Sequence, residues 1–418
     1  MQKRIKALIN HPLFSGSAVV FVGNMSANVI NYVYHLIMGR LLGPVEYGVL
    51  ASLYSILYLV SIIPSSASVS IVKFISSANN NKVYSVYESL RKLILKIAMG
   101  LSILMMASTP LLSNFLHIEN LLAVILIIPV LFLSLITLVN QSASQGLLKF
   151  SGYVIPTLIS SLVKLLLGVA LVYIGWSVSG AMFAIVVAML FAYLYSHGFI
   201  KKYIKKTKIQ KIDLTPFLKY SGPVLVQALA FTSIFTIDVI LAKHFLDPFS
   251  AGIYAALSTL GKIIFFAASP VAATMFPVIS KRKSQGQEYL KVFFASLAIT
   301  AVIASFATLL FWLFPNIAIG VLYGEDYLSA KTDLVWMGFF MLFYTLSNLL
   351  VNFYLSIGKV KIVILPLFSA LFQAVVIWFY HGSVTEIIHV SLFTTLGMLI
   401  CLLIYTGYNL LYEEKDKL

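Results

Sequence analysis

Apolar residues in this chain come in runs of about twenty, the length a helix needs to cross a hydrocarbon core. Breaks at glycine, proline and charged residues divide the runs into twelve predicted spans: 14–38, 47–72, 93–113, 119–141, 151–174, 178–200, 219–242, 250–278, 290–314, 332–356, 361–380 and 386–409. A closed β-barrel also satisfies its backbone in lipid, but its strands alternate polar and apolar positions. These runs are apolar all round, so the pattern predicts an all-α polytopic membrane protein. Composition agrees. The chain is 60% hydrophobic and 10% charged, against about 25% charged in a soluble domain, too little to clothe a water-facing surface.

The net charge of +15 would suggest nucleic acid in a soluble protein, but its distribution gives another reason. Of the 29 basic residues, only Arg40, Lys243 and Lys331 fall in loops on the side away from the N-terminus, and only Lys164 and Lys262 lie more than three residues inside a span. The rest line the other side, in loops such as Lys201–Lys219. Acidic residues do not share the bias. Such asymmetry places the lysine-rich side and both termini in the cytoplasm, against anionic lipid headgroups, with no nucleic-acid partner. The basic start at Lys3, Arg4 and Lys6 leads into an apolar stretch that carries asparagines and no small-residue cleavage site, so it reads as an uncleaved first helix. The single cysteine, Cys401, reads as a small buried apolar residue and excludes a thiolate metal cluster.

The two halves echo each other. Residues 39–53 align without gaps with residues 243–257, so that Pro44 meets Pro248, Gly48 meets Gly252, Ala51 meets Ala255 and Leu53 meets Leu257. Six spans per half make both halves start on the same side. The repeats are therefore parallel, related by a pseudo-two-fold axis along the membrane normal. The expected organisation is two six-helix bundles, 1–210 and 211–418.

Ionisable groups inside a span cost about 2.5–3.5 kcal/mol each and face protein or water rather than lipid. Three occur more than three residues inside a span: Lys164, Asp238 and Lys262. Their sum is +1, which suits an anionic substrate, although a Lys–Asp pair holding two helices together is the alternative. Span eight carries Tyr254, Ser258, Lys262 and Ser269 on one face, and span one carries Asn24, Asn28, Asn31 and His35, followed by Arg40 at its end. Such amides hydrogen-bond sugar hydroxyls in a wet cavity, or grip neighbouring helices. Lys262, Lys164, Asn24, Asn28, Asn31, His35, Ser258, Tyr254 and Arg40 are the substrate-binding candidates. Prolines 64, 129, 156, 270, 277 and 366 lie inside spans, where they favour kinks. The seven histidines are scattered, which argues against a metal site or a membrane-embedded glycan enzyme, and no phosphate-binding glycine loop is present.

The stretch Arg40-Leu41-Leu42-Gly43-Pro44-Val45-Glu46-Tyr47-Gly48, with Tyr254, Lys262-Ile263 and Phe276-Pro277-Val278-Ile279-Ser280-Lys281, resembles the polysaccharide-exporter and O-antigen flippase families of the multidrug/oligosaccharidyl-lipid/polysaccharide exporter superfamily. That resemblance implies a V-shaped pair of bundles around a central cleft. It also implies an alternating-access flippase, not an enzyme, that moves an undecaprenyl-diphosphate-linked oligosaccharide of lipopolysaccharide, capsule or exopolysaccharide across the bacterial inner membrane. A glycan polymerase would be its protein partner. Peptidoglycan-precursor or teichoic-acid transport, and drug/cation export by antiport, are the alternatives on this fold. A related flippase branch implies a sodium site around an acidic residue of span seven. Here that gives Asp238, with Gln373 and Thr394 or Thr395 from spans eleven and twelve, for Na+ or H+ coupling and with no other cofactor.

Overall fold

The computed structural model describes residues 12–79, 82–205, 207 and 212–415. The basic residues Lys3, Arg4, Lys6, Lys206, Lys208, Lys211 and Lys417 lie outside them, as does the side chain of Gln227. Every regular element among the described residues is helical. In chain order these are α1 (Pro12–Val60), α2 (Ile62–Ser76), α3 (Val83–Leu116), α4 (Leu121–Ile125), α5 (Ile127–Gly146), α6 (Phe150–Leu171) and α7 (Ser177–Tyr203). The second half contributes α8 (Thr215–Ile234), α9 (Ile237–Phe245), α10 (Pro248–Ser284), α11 (Leu290–Leu313), α12 (Pro315–Leu322), α13 (Leu334–Ser356), α14 (Ile364–Phe379) and α15 (Val384–Lys415).

Ten helical stretches among the described residues are long and apolar enough to cross a membrane. Two of them, Val19–Val60 with 42 residues and Phe150–Tyr203 with 54, are about twice the length one crossing requires. Each is divided by a glycine in the left-handed region, Gly43 at φ 68° and Gly175 at φ 95°. Counting each as two spans gives twelve, with limits close to those read from the hydropathy pattern. The breaks fall at Gly43, at the π-turn Val172–Trp176 and between α8 and α9, and also at Ser61 and Leu126, three residues before Pro64 and Pro129, whereas Pro156, Pro270 and Pro277 lie inside uninterrupted helices. Pro129 and Pro366 sit in the first turns of α5 and α14, where the missing N–H has no helical acceptor anyway.

The chain forms two compact units. The first comprises residues up to Leu42 and Ile56–Leu225. Its core joins Ile71 and Ile75 of α2, Leu90 and Ile94 of α3, and Leu131 and Leu135 of α5. The basic connector is tied to this core. Ile204, Ile212, Leu214 and Phe217 pack onto it, and Phe217 meets Phe74 edge-on with ring centroids 5.8 Å apart.

The second unit comprises Gly43–Ser55 and the chain from Val226 on. The early segment belongs here because its side chains are used here. Tyr47 is fully buried, and its hydroxyl is bonded to Thr259 and to Tyr323, both at 3.1 Å. The repeat glycines pack directly on each other. A Cβ on Gly48 would lie 3.0 Å from the Gly252 Cα, and one on Gly252 would lie 1.8 Å from the Pro44 carbonyl oxygen. Only glycine at 252 permits this crossing. The reading of Cys401 as buried is corrected: Cys401 is exposed. Its neighbours Met398 and Leu402 turn inward, which puts Cys401 on the outer side of α15, where lipid is the solvent.

Candidate functional site

Each unit holds polar groups at span depth, and those of the second unit form a cluster. The α8–α9 break creates its centre. The chain leaves helical geometry at Phe235–Thr236 and restarts at Ile237, which puts Asp238 in the first turn of α9. There the carboxylate sits beside the amides of Asp238 and Val239 and the positive end of the helix dipole. Interrupted helices of this kind are how membrane proteins present ion sites at depth.

Asp238 is fully buried, and its Oδ2 accepts a hydrogen bond of 2.7 Å from the Tyr254 hydroxyl on α10. Ser391 of α15 lies near the Tyr254 hydroxyl; its own hydroxyl donates to the Ile387 carbonyl at 2.9 Å and accepts from Gln373 Nε2 of α14 at 2.8 Å. Of the sequence candidates, Asp238 is thus paired with Tyr254, and Gln373 with Ser391 nearby. The structure also separates the two threonines left open above. Thr395 donates to backbone carbonyls of its own helix, Ser391 at 2.9 Å and Leu392 at 3.0 Å. Thr394 has no such bond.

Three buried oxygens here have no hydrogen-bond partner: Asp238 Oδ1, Gln373 Oε1 and Thr394 Oγ1. A buried polar atom left bare costs about 1–3 kcal/mol, so three on adjacent helices need an explanation. A carboxylate, an amide oxygen and a hydroxyl are each oxygen donors of the kind a hard cation takes. No group of three or more histidine, cysteine or acidic side chains able to hold a metal ion occurs among the described residues.

Lys262, two turns beyond Tyr254 on α10, is half-buried with its Nζ 5.2 Å from the centroid of the Phe235 ring. It interacts electrostatically with Asp238, while the carboxylate's direct side-chain hydrogen bond goes to Tyr254. Ser258 is buried between them in sequence.

In the first unit, Lys164 of α6 is buried with its Nζ 4.5 Å from the centroid of the Tyr34 ring, and His35 lies edge-on to the same tyrosine. Tyr34 also packs against Gly168, one turn along from the lysine. The amide stripe stands beside the packed face rather than within it. Gly23, Ala27, Tyr34 and Met38 are buried, while Asn24, Asn31 and His35 are half-buried and Asn28 and Arg40 are exposed. Ser391, the Thr236 break and Tyr34 were not among the sequence candidates. Tyr34 could have been found as the aromatic neighbour of the stripe. The other two depend on how distant helices are rotated against each other.

Twelve spans in two helical units, with ionisable groups at depth, define a polytopic helical membrane protein. Residues 37–332 match the family described as polysaccharide biosynthesis protein, and the chain belongs to that family. It is 25% identical over 287 residues to an uncharacterized membrane protein of Methanocaldococcus jannaschii, covering 65% of this chain and 68% of that one. Its fold is similar to that of the lipid II flippase MurJ in an inward closed conformation, with a TM-score of 0.71, 14% identity, and 93% and 87% of the two chains covered. It is also similar to an inward-facing multidrug resistance MATE family transporter of the MOP superfamily, with a TM-score of 0.68, 14% identity, and 90% and 95% covered. The fold is thus shared with a flippase and a multidrug transporter.

Proposed function

We propose that this protein flips a polyprenyl-diphosphate-linked oligosaccharide, a repeat unit of a surface polysaccharide, across the cytoplasmic membrane by alternating access, driven by a sodium ion bound at Asp238. The observation that carries the reading is the charge inside the spans, two lysines against one carboxylate by count. Lys164 and Lys262 each lie against an aromatic ring, an arrangement that attracts a cation and leaves its charge available to an anion. A diphosphate supplies that anion, and lysine meets it as a mobile point charge. Asn24, Asn28, Asn31 and His35 stand outside the packed face of α1, and amides turned to lipid would be costly. A wet path carrying sugar hydroxyls accounts for them, with Arg40 at its end. A cationic drug would call for the opposite balance of charges.

The sodium reading rests on the three bare oxygens of Asp238, Gln373 and Thr394. The membrane is taken to be bacterial, and a glycan polymerase is the expected protein partner.

The test is a proteoliposome flipping assay with an undecaprenyl-diphosphate glycan. Lys262→Ala should insert and fold normally yet lose flipping, while Lys262→Arg retains part of it. Wild-type flipping by the alanine variant would remove the lysine from the substrate path. Transport of a cationic dye without transport of the glycan would favour a drug exporter, and transport of lipid II alone would favour a peptidoglycan-precursor flippase.

A further inference from the structure

Helix α13 carries two asparagines, Asn348 and Asn352, that the proposal above does not use. They continue a single stripe. Met337, Met341, Tyr344, Asn348 and Asn352 recur at offsets of four, three, four and four, so they share one face of the helix. That face is turned toward α10 and α8, whereas the exposed Trp336 and Phe339 lie on another. A Cβ on Gly261 of α10 would stand 2.8 Å from Met337 Cγ and 2.9 Å from Met341 Cγ. The Tyr344 ring lies edge-on to Phe265 of α10, with centroids 5.3 Å apart, and its hydroxyl donates to the Phe231 carbonyl of α8 at 3.2 Å. Tyr344 also meets Phe235 at 5.6 Å, and it is over this Phe235 ring that the Lys262 Nζ lies. Met337, Met341 and Tyr344 are buried, but both asparagines are half-buried, so the stripe opens one turn beyond Tyr344.

The bonds inside the pair fix which atoms it presents. The Asn348 backbone carbonyl can only accept, so the Asn352 atom that meets it at 2.8 Å is Nδ2. The same nitrogen donates to the Asn348 side chain at 3.0 Å, which must therefore offer Oδ1. Asn348 Nδ2 and Asn352 Oδ1 are left without a partner among the described residues, and neither is enclosed. Ser269 comes level with Asn348, since α10 and α13 run in the same direction, but its hydroxyl is in use. It donates at 3.1 Å to the Phe266 carbonyl, which Pro270 leaves without its helical donor.

We propose that Asn348 Nδ2 and Asn352 Oδ1 bind two neighbouring hydroxyls of the glycan, with the diphosphate at Lys262. This rests on the flippase reading and adds where the sugar sits, on the Ser356 side of Lys262. An anion calls for donors alone, a cation for acceptors alone, and a lipid tail for neither. A donor beside an acceptor matches a pair of hydroxyls, each of which gives and takes a hydrogen bond. Asn348 is four residues from Tyr344, roughly 6 Å along the axis, so sugar and diphosphate contacts belong to one stretch of the second unit.

Equilibrium binding of the purified full-length protein is measured for two probes, undecaprenyl diphosphate and the same lipid carrying a single hexose. The wild type should bind the hexose-bearing lipid about tenfold more tightly, the margin two hydrogen bonds supply. Asn348→Leu and Asn352→Leu should each erase most of that margin and leave the bare lipid bound as in the wild type, with melting temperatures little changed. Lys262→Ala should weaken both probes alike. Equal binding of the two probes by the wild type would overturn the proposal without any variant. Both asparagine variants keeping the margin would overturn it too, because the pair would then serve only its own helix. So would an equal loss of both probes, which would make the pair a support of the phosphate site. A wild type that binds neither probe, or a Lys262→Ala variant that binds both as before, would bring down the flippase reading itself and the sugar site with it.

Discussion

Asp238 combines two demands that conflict in a membrane interior: full burial and a carboxylate. The restarted helix α9 and the Tyr254 hydroxyl each offset part of the cost, yet one oxygen stays bare. A sodium ion bound to the folded protein and not to the unfolded chain raises stability by about 2.7 kcal/mol at a hundred times its dissociation constant. The wild-type protein should therefore melt later in sodium than in an equal concentration of choline. Asp238→Asn should abolish that difference, along with any dependence of flipping on the sodium gradient. A sodium-dependent shift that survives the substitution would move the site elsewhere. The residues of this site were partly legible in the sequence. Asp238 is the only carboxylate more than three residues inside a predicted span, and helical spacing puts Tyr254 and Lys262 on one face. Ser391 was not legible, because its place beside Tyr254 and Gln373 depends on how three helices are turned.

At the scale of elements, the two copies of the repeat reach the same geometry by different chemistry. Both helices begin on a proline, Pro44 and Pro248, whose fixed φ suits the first helical position. Ahead of Pro44 the turn is made by Gly43 with positive φ. Ahead of Pro248 stands Asp247, whose Oδ1 accepts from the amides of Phe249 at 3.0 Å and Ser250 at 3.1 Å. Bonding to the Ser250 side chain and to the amides holds the Asp247 carboxyl below its usual pKa. Its stabilising contribution is therefore complete above about pH 4, the unfolded value, and fades as pH falls through the lower folded one. Asp247→Ala should cost about 0.5–2 kcal/mol at neutral pH in thermal melts, and less in acid.

Where the repeats cross, Gly252→Ala must push the Pro44 carbonyl aside. A melting temperature lowered by the equivalent of about 1–3 kcal/mol or more is expected. Gly48→Ala, whose nearest neighbour stands at 3.0 Å, should be milder. The sequence repeat showed that these segments correspond. It could not show that they touch, since correspondence says nothing of packing.

For the whole molecule, hydropathy located nearly every span, because the length of a crossing is set by the bilayer and not by tertiary packing. The helix breaks were less visible. Gly43 and Gly175 lie among many other glycines, and only their backbone angles single them out. The division into units differs from a cut near residue 210, because residues 43–55 pack with the later part of the chain and residues 211–225 with the earlier part. Orientation is open to direct test. With Cys401, which is exposed, replaced by serine, a cysteine at Lys205 should resist impermeant maleimide in intact cells and react once the membrane is permeabilised. Labelling from outside intact cells would invert the topology.

The placement of residues 43–55 also bears on how the protein is made. The hydroxyl of Tyr47 is bonded to that of Tyr323, 276 positions later in the chain. At about 5–20 residues per second, a ribosome needs tens of seconds to supply the partner after the first tyrosine has emerged. For that interval an apolar segment that will be interior must wait in the bilayer or against the insertion machinery. The second unit cannot mature as an independent late product, and its final packing must follow synthesis of Tyr323. Chains arrested before that residue should therefore leave position 47 open to lipid-phase crosslinkers. Chains arrested beyond it should protect the same position.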